Sequence, residues 1–116
     1  MENKDIGRLF EEIAFWLEIA GDNPFKIRSY AAAAHTLDKL AEPVEQLHRE
    51  GRLREIEGIG EALAKKIGEA IETGRMSYLE GLRERFPAGL FELSRLRGVG
   101  TKTIKQLYET LHIDSP

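Results

Sequence analysis

The sequence predicts a small all-α domain in which a helix, a glycine hairpin and a second helix occur twice. Three observations carry that expectation. Apolar residues recur at three- and four-residue steps along the chain, the spacing of an amphipathic helix. No segment shows the apolar–polar alternation of a strand. The second half also matches itself when slid forty residues along, which marks an internal repeat.

The elements follow in order. From Asp5 to Ala20, the residues Ile6, Leu9, Phe10, Ile13, Trp16, Leu17 and Ala20 mark one face of a helix of about four turns, and Gly21 is its expected stop. Asn23-Pro24 supplies a capping side chain and then the proline favoured at the first helical position. Ile27, Tyr30, Ala31, Ala34 and Leu37 form the inward stripe of that second helix, and alanines 31–34 let a neighbour pack closely. Pro43 opens a short third helix with Val44 and Leu47 inward, ended by Gly51. Met76 to Phe86 reads as a connecting helix with Leu79, Leu82 and Phe86 inward. Phe10, Phe15 and Trp16 are assigned to the core or, for Phe15, to a surface contact. His35 and the pair Glu11-Glu12 are assigned to solvated helix faces.

The repeat places Leu53, Ile56, Gly58, Ile59, Gly60, Ile67 and Ile71 on Leu93, Leu96, Gly98, Val99, Gly100, Leu107 and Leu111; Leu63 falls on Thr103. In each copy a short helix runs into Gly-h-Gly, where h is aliphatic, and a longer helix begins at once. Reversing the chain within three residues needs positive φ or close backbone approach, both of which glycine accepts. The first N–H groups of the following helix then point outward with partial positive charge, an arrangement suited to phosphate. Two such tips predict salt-dependent, sequence-independent grip on backbone phosphates of DNA. The alternative is a plain tight turn in a helical bundle or an adaptor that uses the hairpins for protein contacts.

Composition narrows the class. The 116 residues are 41% hydrophobic and 32% charged, enough apolar content for a core. Without cysteine there is neither a disulfide framework nor a thiolate zinc site, and His35, His48 and His112 are too scattered for a metal pattern. No apolar run approaches a membrane span and the N-terminus lacks a signal-peptide layout, so a cytoplasmic monomer is expected. The net charge of −3 conceals a gradient: residues 1–24 carry two basic and six acidic side chains, whereas 93–108 carry Arg95, Arg97, Lys102 and Lys105 and no acid. The acid-free stretch favours DNA over a protein adaptor, and it makes the second hairpin, with Arg97, Gly98, Gly100, Thr101, Lys102 and Lys105, the stronger generic duplex-binding site.

The run Leu53-x-x-Ile56-Glu57-Gly58-Ile59-Gly60 followed by Ala64-Lys65-Lys66-Ile67 resembles the helix-hairpin-helix of the N-terminal lyase-type domain of family X DNA polymerases. Asn23-Pro24-Phe25-Lys26-Ile27-Arg28-Ser29-Tyr30 and the alanines after it resemble that domain's second helix, as in bacterial and archaeal members. Leu96-Arg97-Gly98-Val99-Gly100 then corresponds to the DNA-binding subdomain before the palm. The resemblance implies two parts, residues 1–75 and 76–116, of which the first binds the 5′-phosphate side of gapped or nicked duplex DNA. It makes the chain the N-terminal piece of a longer repair polymerase, with Mg²⁺ expected only in a palm that these residues do not contain.

In some members the lyase-type domain removes a 5′-deoxyribose phosphate through a Schiff base, and the resemblance places that nucleophile on Lys66. Lys66 borders the stripe Leu63, Ala64, Ile67 and Ile71, where partial desolvation lowers a lysine pKa. By the same resemblance Lys26, Tyr30, Arg54 and Lys65 belong to the phosphate pocket, and Phe25 stands where the animal repair enzyme has a phosphate-contacting histidine. Ala62 and Tyr78 stand where basic residues are expected, so any lyase activity should be weak. The resemblance also implies Na⁺ or K⁺ at the hairpins, on backbone carbonyls of Arg54, Ile56 and Ile59 and of Ser94, Leu96 and Val99; no other cofactor and no small-molecule substrate is implied.

Overall fold

The structure, a computed structural model, describes residues 1–87, 89–95 and 100–113. It contains α1 (Asn3–Ala20), α2 (Pro24–Lys39), α3 (Val44–Arg49), a 3-10 turn (Leu53–Glu55), α4 (Glu61–Thr73), α5 (Ser77–Arg85), α6 (Leu90–Arg95) and α7 (Thr101–Ile113), with no strand among the described residues. None of these helices is long and apolar enough to cross a membrane.

The local signals act as their chemistry requires. Gly21 closes α1 at φ +72°, its N–H donating to the Glu18 carbonyl at 3.1 Å while Asp22 N–H reaches back to Leu17. The Asn23 carboxamide oxygen accepts the Phe25 N–H at 2.8 Å and Pro24 is the first residue of α2. Pro43 precedes α3, whose Val44 and Leu47 are buried, and Gly51 follows it at φ +68°.

Helix α1 is the axis of the molecule: α2, α5, α6 and α7 all pack on it. Ile6, Phe10, Ile13 and Leu17 have no exposed surface, each burial contributing roughly 1.5–3 kcal/mol. Helix α2 comes closest. A Cβ on Gly7 would stand 3.3 Å from the Ala34 carbonyl oxygen, so glycine on one helix and alanine on the other set the spacing. An aromatic chain joins the rest: Trp16 stacks on Phe86 with ring centroids 5.1 Å apart, Phe86 meets Tyr108 edge-on, and Phe15 meets Phe91 edge-on.

Surrounding α1 on several sides changes some expectations. Glu12 is buried, not solvated, because α5 covers its face of α1; Glu11 beside it stays exposed. Ala31 is exposed and Ala33 takes its place against α1, while Ala20 lies at the exposed end of its helix. The short helix expected in the first repeat is a single 3-10 turn; in the second repeat it is the six-residue α6. In the second repeat α7 packs chiefly on α1, while α6 packs on both α1 and α7.

Candidate nucleic-acid interface

At the first hairpin Leu53, Ile56 and Ile59 are all buried and anchor the turn from below. Gly58 has φ +80°, a conformation that costs any L side chain strain. Gly60 differs. Its backbone is extended, φ −89° and ψ −169°, and a Cβ there would meet nothing within 4 Å, so neither conformation nor internal packing calls for glycine. Its carbonyl accepts the Ala64 N–H at 2.9 Å, the first bond of α4, and no side chain caps the helix. The N–H groups ahead of Ala64 therefore face outward at the positive end of the helix dipole, with Glu61 on the same turn drawn toward Lys65 at 3.9 Å.

Gly100 repeats the arrangement. It lacks positive φ, has no described residue within 4 Å of where a Cβ would project, and accepts the Ile104 N–H at 3.2 Å as α7 begins. Leu96, Arg97, Gly98 and Val99 lie outside the described residues. Thr101 is half-buried and Lys102 exposed on the first turn of α7, while half-buried Lys105 turns inward, its Nζ 3.8 Å from where a Gly21 Cβ would stand. That seats a cation at the carbonyl end of α1, whose last turn has none of its own.

Beside the first hairpin α2, α4 and α5 bring four side chains together. Tyr30 of α2 and Tyr78 of α5 stack with centroids 6.0 Å apart and ring planes within 11°. Lys66 of α4 lays its ammonium over these rings, 4.8 Å from the Tyr78 centroid and 6.0 Å from that of Tyr30. Lys26 of α2 also lies over the Tyr78 ring, 5.2 Å from its centroid. Asp22 stands 4.0 Å from Lys26.

The environment separates the two lysines. Loss of hydration and then the nearby Lys26 charge hold Lys66 below the ordinary lysine value, against a smaller opposing pull from Glu69. The Tyr78 hydroxyl holds Lys26 above it. Burial, with Tyr78 next to it, pushes Tyr30 up to about 12, so Tyr30 is a neutral phenol at physiological pH.

The other expected pocket residues lie around this cluster. Lys65 and Ala62 share an open depression with Lys66 and Glu69 on α4. Arg54 lines a second groove with Lys65 and His48. Phe25 is 73% exposed at the start of α2, with the Arg28 guanidinium 4.8 Å from its ring centroid. For a monovalent ion the first hairpin offers the carbonyls of Arg54, Ile56 and Ile59. Ile56 already accepts the Ile59 N–H at 3.0 Å, which leaves one lone pair free to ligate. The sequence marked Tyr78 only as a position lacking the expected basic residue; its place beside both lysines depends on the packing of α5, and no local pattern signals it.

The helix-hairpin-helix domain model matches residues 1–76, and a SAM-like helix-hairpin-helix tandem model matches residues 50–114. The DNA polymerase/3'-5' exonuclease PolX of Bacillus subtilis (strain 168) is 37% identical over 113 residues, which are 97% of this chain and 19% of that protein. The chain spans less than a fifth of the length of this relative.

Proposed function

The chain belongs to the helix-hairpin-helix family, and from that premise we propose that it is the DNA-binding front part of a family X DNA polymerase, gripping duplex DNA at the 5′-phosphate side of a gap or nick. The observation that carries this reading is the convergence of Lys26 and Lys66 on Tyr78, beside a helix start whose Gly60 has no internal reason to be glycine. A terminal phosphate carries more charge than one within the strand, and two ammonium groups with outward N–H groups suit it. Gly100 and Lys102 offer a second, generic phosphate contact. The 37% identity to PolX supports the same assignment, and a role in DNA repair follows from the gap preference. A hairpin-bound Na⁺ or K⁺ on the Arg54, Ile56 and Ile59 carbonyls would add positive charge beside the strand.

Fluorescence anisotropy on gapped duplexes with and without the 5′-phosphate tests the reading. Tighter binding of the phosphorylated gap is expected, and equal affinity for the two would remove the pocket assignment.

A second reading is favoured by one specific observation, the half-buried Lys66 amine held below its usual pKa. In its neutral form that amine adds to the C1′ aldehyde of an opened abasic sugar, water leaves, and an iminium links protein to DNA. Ala62 leaves the pocket one cation short for holding the sugar phosphate, so lyase activity is slow in this reading. Borohydride trapping on an incised abasic site tests it.

A further inference from the structure

Both pocket lysines meet at Tyr78, and Tyr78 is the most firmly held of the three. Its neighbours Leu79 and Leu82 are buried, and Arg83 on the same helix is bonded to Glu12 of α1. The ring moves about two torsions and stacks on Tyr30, whereas each lysine head ends a flexible four-carbon stem. The lysines therefore take their places from the ring. Both heads lie over that ring, Lys26 at 5.2 Å and Lys66 at 4.8 Å from its centroid.

We propose that Tyr78 is the positioning residue of this pocket: its ring holds the heads of two like-charged neighbours in place, Lys26 as the cation that meets a terminal phosphate and Lys66 as the amine beside it. The inference rests on reading the pocket as a 5′-phosphate site. It also explains how the pocket manages with a tyrosine where the family resemblance suggested a basic residue. A third ammonium at that position would add charge but would offer no flat apolar face to either lysine.

The test compares the 116-residue chain with Tyr78→Phe and Tyr78→Leu, after circular dichroism and thermal melting establish that each folds. Without DNA, the Lys66 ε-methylene protons report whether an aromatic face shields them. With DNA, the ratio of affinities for phosphorylated and unphosphorylated gaps reports the grip on the phosphate. Tyr78→Phe keeps the ring and is expected to keep both the Lys66 shift and the ratio. Tyr78→Leu is expected to lose the shift and to lower the ratio by about tenfold. An unchanged ratio in both variants, including equal losses on both DNAs, would reduce Tyr78 to a structural residue and overturn the proposal. So would a Lys66 shift that survives in Tyr78→Leu. A wild type indifferent to the phosphate overturns the pocket reading and Lys26's part with it, while the shift measured without DNA still decides the part assigned to Lys66.

Discussion

The Glu12 carboxylate accepts two hydrogen bonds from the Arg83 guanidinium, both at 2.6 Å, and a third from the Trp16 indole N–H at 2.9 Å. The pair joins α1 to α5 across 71 positions of sequence and so fixes the helix that carries Tyr78. Burial alone would push the Glu12 carboxyl upward; the bonds from Arg83 and Trp16 overcome it and hold the group below its ordinary value.

Arg83→Ala should lower stability by about 1–3 kcal/mol, since Glu12 is left buried and poorly paired while half of Arg83 was already solvated. Because the folded-state pKa of Glu12 is depressed, its stabilisation is present above the unfolded value near 4.5 and is lost as pH falls through the lower folded value. Chemical denaturation of wild type and Glu12→Gln across acid pH should show the two stability curves converging as the pH drops. A constant separation would contradict this account.

The two glycines of the first hairpin should separate folding from binding. Gly58→Ala puts a side chain at φ +80° and should cost about 1–2 kcal/mol. Gly60→Ala meets no neighbour and has an ordinary extended φ, so its melting temperature should hold or rise slightly, while affinity for gapped DNA falls because the methyl group occupies the space a phosphate needs. Melting curves and anisotropy on the same samples check both. If Gly60→Ala bound normally, the open face of Gly60 would have no bearing on DNA.

Salt should weaken binding along a straight line of log affinity against log salt. Lys26→Ala should lower the slope by about one on the phosphorylated gap and leave it nearly unchanged on the unphosphorylated one. Equal slope changes on both substrates would make Lys26 a generic backbone contact.

Borohydride trapping on an incised abasic site should yield little adduct with the wild type and none with Lys66→Ala, and Ala62→Lys should raise the yield by adding a phosphate ligand. The rate of trapping should climb with pH as Lys66 loses its proton and level off earlier than for an ordinary lysine, because burial and Lys26 hold its pKa down. Adduct persisting in Lys66→Ala would point to Lys65, which is exposed and paired with Glu61.

Whatever depends on a few adjacent residues could be read from the chain itself. Gly21 ends α1, Asn23-Pro24 starts α2, Pro43 precedes α3 and Gly58-Ile59-Gly60 reverses the chain, because φ limits, capping bonds and the missing proline N–H act within a turn or two. The pairing of Lys66 with Tyr30 in one site came from the family resemblance, which carries tertiary information in a linear pattern. The position of α1 among four other helices could not be read in this way. A periodic stripe shows that a helix has a buried face, yet it does not show how many partners cover it, so Glu12 read as surface until α5 closed over it. Tyr78 stood as a missing charge for the same reason. Its neighbours Lys26, Tyr30 and Lys66 are distant in sequence, and the burial of Leu79 and Leu82 and the Arg83–Glu12 pair hold its ring beside them.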